Sequence, residues 1–236
     1  MRRVLLLASV FVLAACAAPG SGKSSSPSAQ SIAGNDSDFS GMTKCPQSGS
    51  WDDYLKAEQQ SDPTTYETDK KDWDQLKASG ADDGYVAAYA QNSSECAIFS
   101  TDTPPKGKVT YVFVVRFKDQ ASAEASYKTS AKDFHVSDSD LADVKAAGGT
   151  VTQGTATGLG DNSLEAFVSF AGESIFVGFW QNKRYEVALI ATNTPSGDSQ
   201  TTSTNINGRI PTRVALERAA PAHMARARRR RAAPRQ

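Results

Sequence analysis

The sequence predicts one α+β domain, an antiparallel β-meander packed by helices, with a signal peptide before it and a disordered basic tail behind it. Three observations carry that expectation. From residue 150 the apolar pattern switches to period two through "TVTQGTAT", "SLEAFVSFAG", "SIFVGFWQ" and "RYEVALIAT", four runs separated by turn residues. Before them, "KVTYVFVVRF" (108–117) is apolar on both alternating faces, as expected of a central strand covered on each side. Around these runs lie capped segments with helical spacing. Together they occupy 44–193, a span long enough for one core.

The elements follow in order. Ser50 is placed to cap a helix over "WDDYLKAEQQ", with Asp52 and Asp53 in the first turn where the helix dipole favours negative charge. Asp62-Pro63 begins a second helix, on which Tyr66, Trp73 and Leu76 share a face until Gly80 stops it. "ADDG" (81–84) reads as a turn, and "YVAAYAQ" and "CAIFST" read as two strands around Asn92-Ser93-Ser94. After the central strand, Asp119 caps the alanine-rich "QASAEASYKTSAKDF", and Ser139 and Gly148 bracket a short helix, "DLADVKAAG". Tight turns are expected at Gly172-Glu173 and Asn182-Lys183 within the meander.

The N-terminus carries an address. Met1-Arg2-Arg3 is a basic start, and Val4 to Ala15 is apolar and uncharged. That run is shorter than the ~20 residues a helix needs to span a bilayer, so 1–15 reads as a secretory signal peptide. Leu13-Ala14-Ala15-Cys16 resembles the bacterial lipobox. The resemblance implies that the Cys16 thiol receives diacylglycerol, that cleavage leaves Cys16 as the N-terminus, and that acyl chains such as palmitate hold it in a membrane. Several chains on one residue suffice for stable anchoring. Residues 16–43 are then the lipidated cysteine and a Ser/Gly/Pro-rich tether, too poor in large apolar groups to build a core. The expected location is the cell envelope, lipid-anchored, on the extracytoplasmic side of the membrane. "TGLGDNSLEAF" (157–167) resembles a segment before a strand in secreted domains of actinobacterial lipoproteins and related extracytoplasmic sensor domains. It carries over no functional residue.

Cysteine arithmetic agrees with this address. The chain has three cysteines, Cys16, Cys45 and Cys96. Assigning Cys16 to lipid leaves Cys45 and Cys96 to form a disulfide in an oxidising compartment. Two unpaired buried thiols are the competing reading. A metal site is disfavoured, because no Cys-x-x-Cys or clustered histidine accompanies them.

The formal net charge of zero is the sum of two unlike parts. Residues 209–236 hold nine arginines and one glutamate, whereas 17–208 hold 15 basic and 25 acidic residues. A mature domain that acidic does not look like a nucleic-acid binder. The segment 194–236 reads as a disordered Arg-rich tail whose run Arg228 to Arg231 is suited to anionic lipid headgroups. The abrupt change from lysine to arginine also fits read-through or a shifted reading frame in GC-rich DNA.

Nothing in the chain spells a reaction. His135 has Asp133, Asp138 and Asp140 nearby, but "DSDLAD" lacks the glycine and distal glutamate of a calcium loop and reads as helix capping. There is no Gly-x-Ser-x-Gly elbow, P-loop or dinucleotide fingerprint. No cofactor is expected. In the meander, Phe176 and Trp180 share one face of their strand, with Phe167 and Ile190 placed beside them; these residues either pack as core under the helices, the default, or face a small apolar ligand. The functional expectation is a membrane-anchored lipoprotein with a non-catalytic binding domain. The alternatives are an envelope hydrolase with a carboxylate site, or a structural partner of another envelope protein.

Overall fold

The central strand organises the chain. A computed structural model describes residues 26–100, 105–160 and 162–211, with the side chains of 98–100 left aside. Helix α1 (Ala29–Ile32) precedes two short strands, β1 (Thr43–Lys44) and β2 (Gly49–Ser50). Helices α2 (Trp51–Ser61) and α3 (Pro63–Ala78), strand β3 (Ala81–Ala90) and a 3-10 helix (Ser93–Ser100) follow. Then come β4 (Val109–Phe117), α4 (Gln120–Ser130), a second 3-10 turn (Ala131–Phe134) and α5 (Asp138–Ala146). The meander is β5 (Thr150–Gly154), β6 (Asn162–Phe170), β7 (Glu173–Asn182) and β8 (Tyr185–Thr192), and α6 (Ser196–Gly208) closes the described chain.

All strand pairs are antiparallel, in the order β1-β3-β4-β8-β7-β6-β5, with β2 also on β3. The fold is therefore α+β, with helices on both faces of one sheet. Strand β4 lies between β3 and β8, and Val112, Val114, Val115 and Phe117 are buried, as its two apolar faces require.

One face carries Tyr85, Ala87, Tyr89, Val112, Val114, Val187, Leu189, Phe176 and Trp180. It is sealed by Ala29 and Ile32 of α1, by Phe39, and by Ile206 and Ile210 at the end of α6. The opposite face carries Val86, Val115 and Phe117 under Trp51, Tyr54, Leu55 and Trp73 of α2 and α3, while Tyr127 of α4 stacks on Phe179. Gly84 permits that docking. A Cβ there would lie 2.8 Å from the Trp73 ring, so only a bare backbone lets the indole lie on β3.

The caps are those the sequence predicts at Ser50, Asp62 and Asp119, whose side chains accept from Asp53 N, from Thr64 N and Thr65 N, and from Ser122 N. Other expectations are corrected. The "ADDG" segment is the start of β3, with a register shift between Ala81 and Asp83, and is not a turn. The described residues of "CAIFST", 96–100, form no strand, since they lie in the first 3-10 helix. The cap of α5 is Ser137 rather than Ser139. The β6–β7 turn is Ala171-Gly172, with φ of 53° and 86°, and the next turn is Lys183-Arg184, each one residue off the expected position.

The folded body also extends past both expected boundaries, 44 and 193. On the N-terminal side, the chain from Pro27 is bound to the sheet. Tyr185 Oη donates to Pro27 O at 2.7 Å, and Ala29 N donates to Asp83 Oδ2 at 2.8 Å. On the C-terminal side, α6 crosses Gly178, with Ser203 Oγ 3.3 Å from where a Cβ would stand, so small serines face the sheet. Its buried stripe of Ser199, Ser203 and Ile206 has helical spacing but Ile206 is its one apolar member, which hid it in the composition. The expected signal peptide, Cys16 and the arginine run lie outside the described residues. Among the described residues, no helix is long and apolar enough to cross a membrane.

Candidate functional site

Of the residues expected to face a ligand, Phe176 and Trp180 are 1% and 0% exposed beneath α1 and α6, so they are core. Phe167 is opposite Phe176 and packs against the same cluster. Ile190 pairs with Val177, which puts it on the other face of the sheet. The register explains this: across a two-residue turn, an even-numbered residue pairs with an odd-numbered one, so Ile190 keeps company with Ile175 and Val177.

That second face holds the candidate site. Ile175, Val177 and Ile190 on β7 and β8 and Tyr111 and Phe113 on β4 are only half-buried, although their strands are internal to the sheet. Val168 and Val151 on β6 and β5 continue the strip in register with Ile175. On one side stand α2 and α3. On the other stand Phe134 of the second 3-10 turn, stacked on Phe179 at 4.2 Å, and α5 beyond it. The result is an apolar strip with helical shoulders.

The α2–α3 shoulder brings acids and aromatics together. Tyr54 Oη donates to Asp69 Oδ2 at 2.7 Å, and the Tyr54 and Tyr111 rings both lie against Phe113, at 6.4 and 5.6 Å. Glu58 is 1% exposed, and its Oε2 accepts no hydrogen bond. Burial, then the nearby Asp69 and Asp62 carboxylates, push Glu58 up to about 7. Burial also raises Asp69, against the Tyr54 hydrogen bond that lowers it. Asp72 is pushed up to about 6, by burial first, then by Asp69, against the nearby Lys71 that lowers it, with Asp133 of the facing shoulder adding to the rise. Tyr111 is raised well above its ordinary value by burial, then by Glu58 and Asp69. Among the described residues, no lysine or arginine forms an ion pair with Glu58, Asp69 or Asp72.

A second buried acid, Glu186 on β8, lies under α4. Burial pushes it up to about 8 despite a hydrogen bond from Ser126. His135 Nε2 is 3.0 Å from Gln153 Nε2, and Gln153 also holds the Val136 backbone, so this histidine serves to seat the segment before α5 on β5. No group of three His, Cys, Asp or Glu side chains among the described residues could hold a metal ion. Cys45 and Cys96 are joined, with Cα atoms 5.5 Å apart, and the bridge ties the segment before α2 to the first 3-10 helix against β3 and β4.

Sequence reasoning missed Tyr111, Val177, Glu58 and Asp69. The parity of the turn would have found Val177 beside Ile190. Nothing local distinguishes Glu58 and Asp69 from the other acids of α2 and α3, because their burial depends on how the two helices sit on β4.

No family model and no curated protein matches the chain. Among solved structures, it is similar to the crystal structure of the extracellular domain of PknH from Mycobacterium tuberculosis, at 12% identity and a TM-score of 0.39. The overlap covers 58% of this chain and 69% of that one.

Proposed function

We propose that the chain is a lipoprotein anchored through Cys16 on the extracytoplasmic side of a membrane, and that its domain binds a small ligand with an apolar body without transforming it. The observation that carries the binding reading is the strip Ile175, Val177, Ile190 and Tyr111. These are half-buried side chains in the interior of a sheet whose other face is closely sealed. An apolar surface of this kind with a few polar groups at its margin suits a small-molecule site. Asp72, half-buried at the margin with the buried Glu58 and Asp69 behind it, favours a ligand that donates hydrogen bonds or carries positive charge. The Cys45–Cys96 bridge supports the compartment, because such bonds persist where the surroundings are oxidising.

Native mass spectrometry of the chain from residue 17 onward, after exposure to a membrane extract, tests the binding reading. An adduct retained by the wild type and lost in Val177→Asp is expected. No adduct, or one unaffected by the substitution, overturns it. The anchor is tested separately. Cys16→Ser should abolish labelling with palmitate and release the protein from membranes, and retained labelling refutes it.

A further inference from the structure

Helix α6 is fastened at both ends and weakly held between them. At its entry, Asn193 has a left-handed φ of 53° and donates its backbone N–H to Ser174 O at 2.8 Å. Its Nδ2 donates to Pro105 O and Gly107 O at 2.9 and 3.2 Å. At the exit, Ile206 and Ile210 are buried in the core, Asn207 Oδ1 accepts from Asn182 Nδ2 at 2.8 Å, and Arg209 pairs with Asp38. The span between has two long ties. Gln200 Nε2 donates to Glu165 Oε2 at 3.3 Å, and Thr202 Oγ1 lies 3.4 Å from Asp38 O while also bonded to Asp198 O at 3.0 Å.

That span is a poor helix on local grounds. Gln200 is the one strong helix former among the thirteen residues of α6, the rest being mostly Ser, Thr, Asn and Gly. Pro195 at its start offers no capping side chain. Thr201, Thr202 and Thr204 turn their hydroxyls back on Gly197 O, Asp198 O and Gln200 O at 2.8, 3.0 and 2.9 Å, bonds that slightly destabilise a helix. Contact with the sheet does not compensate. Ser199 and Ser203 are 2% and 0% exposed, and among the described residues neither hydroxyl has a hydrogen-bond partner. Burying a hydroxyl that finds no partner costs free energy, whereas a methyl group in its place does not.

We infer that residues 196–205 form a strap that lifts from the sheet while Asn193 and the 206–210 end stay fastened, and that its lifting uncovers the rings of Phe176 and Trp180. The crossing at Gly178 puts the strap over those rings. Phe176, Ser203 Oγ and Trp180 lie 3.2, 3.3 and 3.5 Å from the point where a Gly178 Cβ would stand. Phe167, half-buried, packs against the same cluster. The lifted state therefore presents an apolar seat on the face that is sealed in the closed state, opposite the strip of Ile175 and Val177. Segments with few buried apolar contacts open at a free energy below that of global unfolding, and a seat of this kind belongs to the minor state alone.

Native-state hydrogen exchange of the chain from residue 17 onward, read amide by amide by NMR, tests this without a substitution. Protection of the 200–205 amides should be at least ~100-fold lower than that of Val187 and Leu189 inside the sheet, and insensitive to low urea. The Ile210 and Asn193 amides should follow the sheet. The Trp180 indole N–H, buried and without a partner among the described residues, should exchange with the strap. Ser199→Ala combined with Ser203→Ala removes both unmet hydroxyls and should slow exchange of 200–205 at least ~tenfold. Four results overturn the inference: strap amides as protected as the sheet, an indole N–H that follows the sheet, exchange equally fast through Ile210, or a serine pair whose replacement leaves the strap's exchange unchanged or faster.

Discussion

Glu58 is the residue whose replacement most directly tests the physical account of the α2–α3 shoulder. Its carboxyl is buried with Asp69 as a neighbour, and its proton affinity rises from an ordinary 4.5 to about 7. The folded state therefore holds this proton more tightly than the unfolded state. The stabilising effect is complete below about pH 4.5 and is lost as pH rises through about 7. At about 1.4 kcal/mol for each tenfold change in proton affinity, the whole effect is ~3 kcal/mol, of which ~2.5 kcal/mol falls between pH 5 and pH 8. Glu58→Gln removes the titration and keeps the shape. Its amide places a donor where the carboxyl finds no partner, which costs about 1–3 kcal/mol at every pH. The informative quantity is thus the pH dependence and not the stability at one pH. Urea unfolding of both proteins at pH 5 and pH 8 provides it, and Glu186, present in both, cancels in the difference. The wild type should lose ~2.5 kcal/mol more than Glu58→Gln between the two conditions. Equal losses would mean that Glu58 ionises freely in the folded state and that the shoulder is more open than described.

Two further outcomes are expected. Reducing the Cys45–Cys96 bridge, which closes a separation of 51 residues, should cost ~4 kcal/mol on the chain-entropy account; a thermal melt unchanged by reductant would show that the bridge adds nothing to the fold. Tyr185→Phe removes the 2.7 Å bond to Pro27 O and should cost about 1 kcal/mol, with faster amide exchange confined to the α1 segment. Unchanged exchange there would mean that α1 is held by Ala29, Ile32 and Asp83 without the phenol.

The legibility of the chain varied with the range of the interaction. The period-two runs located β4, β6, β7 and β8, and Ser50, Asp62 and Asp119 located three helix starts, because those signals arise within a few residues. Helix α6 was illegible. Its sheet-facing residues are serines selected by the close approach to Gly178, a contact with a strand some twenty residues earlier. The strand expected at Cys96 failed for a related reason. Burial of the cysteine comes from its bridge to Cys45 and from packing with Ala88, Ala90 and Val109, not from pairing as a strand. The candidate site was half legible. Ile190 was singled out, but on the wrong face, since alternation gives the faces of each strand and pairing alone relates one strand to the next.

By itself the sequence determined the α+β class, the central strand, the four-strand meander and the cysteine pair, since each depends on local periodicity, capping or a count. Only the tertiary structure decided which aromatics are core and which acids are buried. Those outcomes depend on the register between strands and on the helices laid across them. Trp180 and Ile190 illustrate the division. Both lie on strongly alternating strands, yet one is sealed under α1 and α6 while the other lies in the half-open strip, because helices cover the two faces unequally.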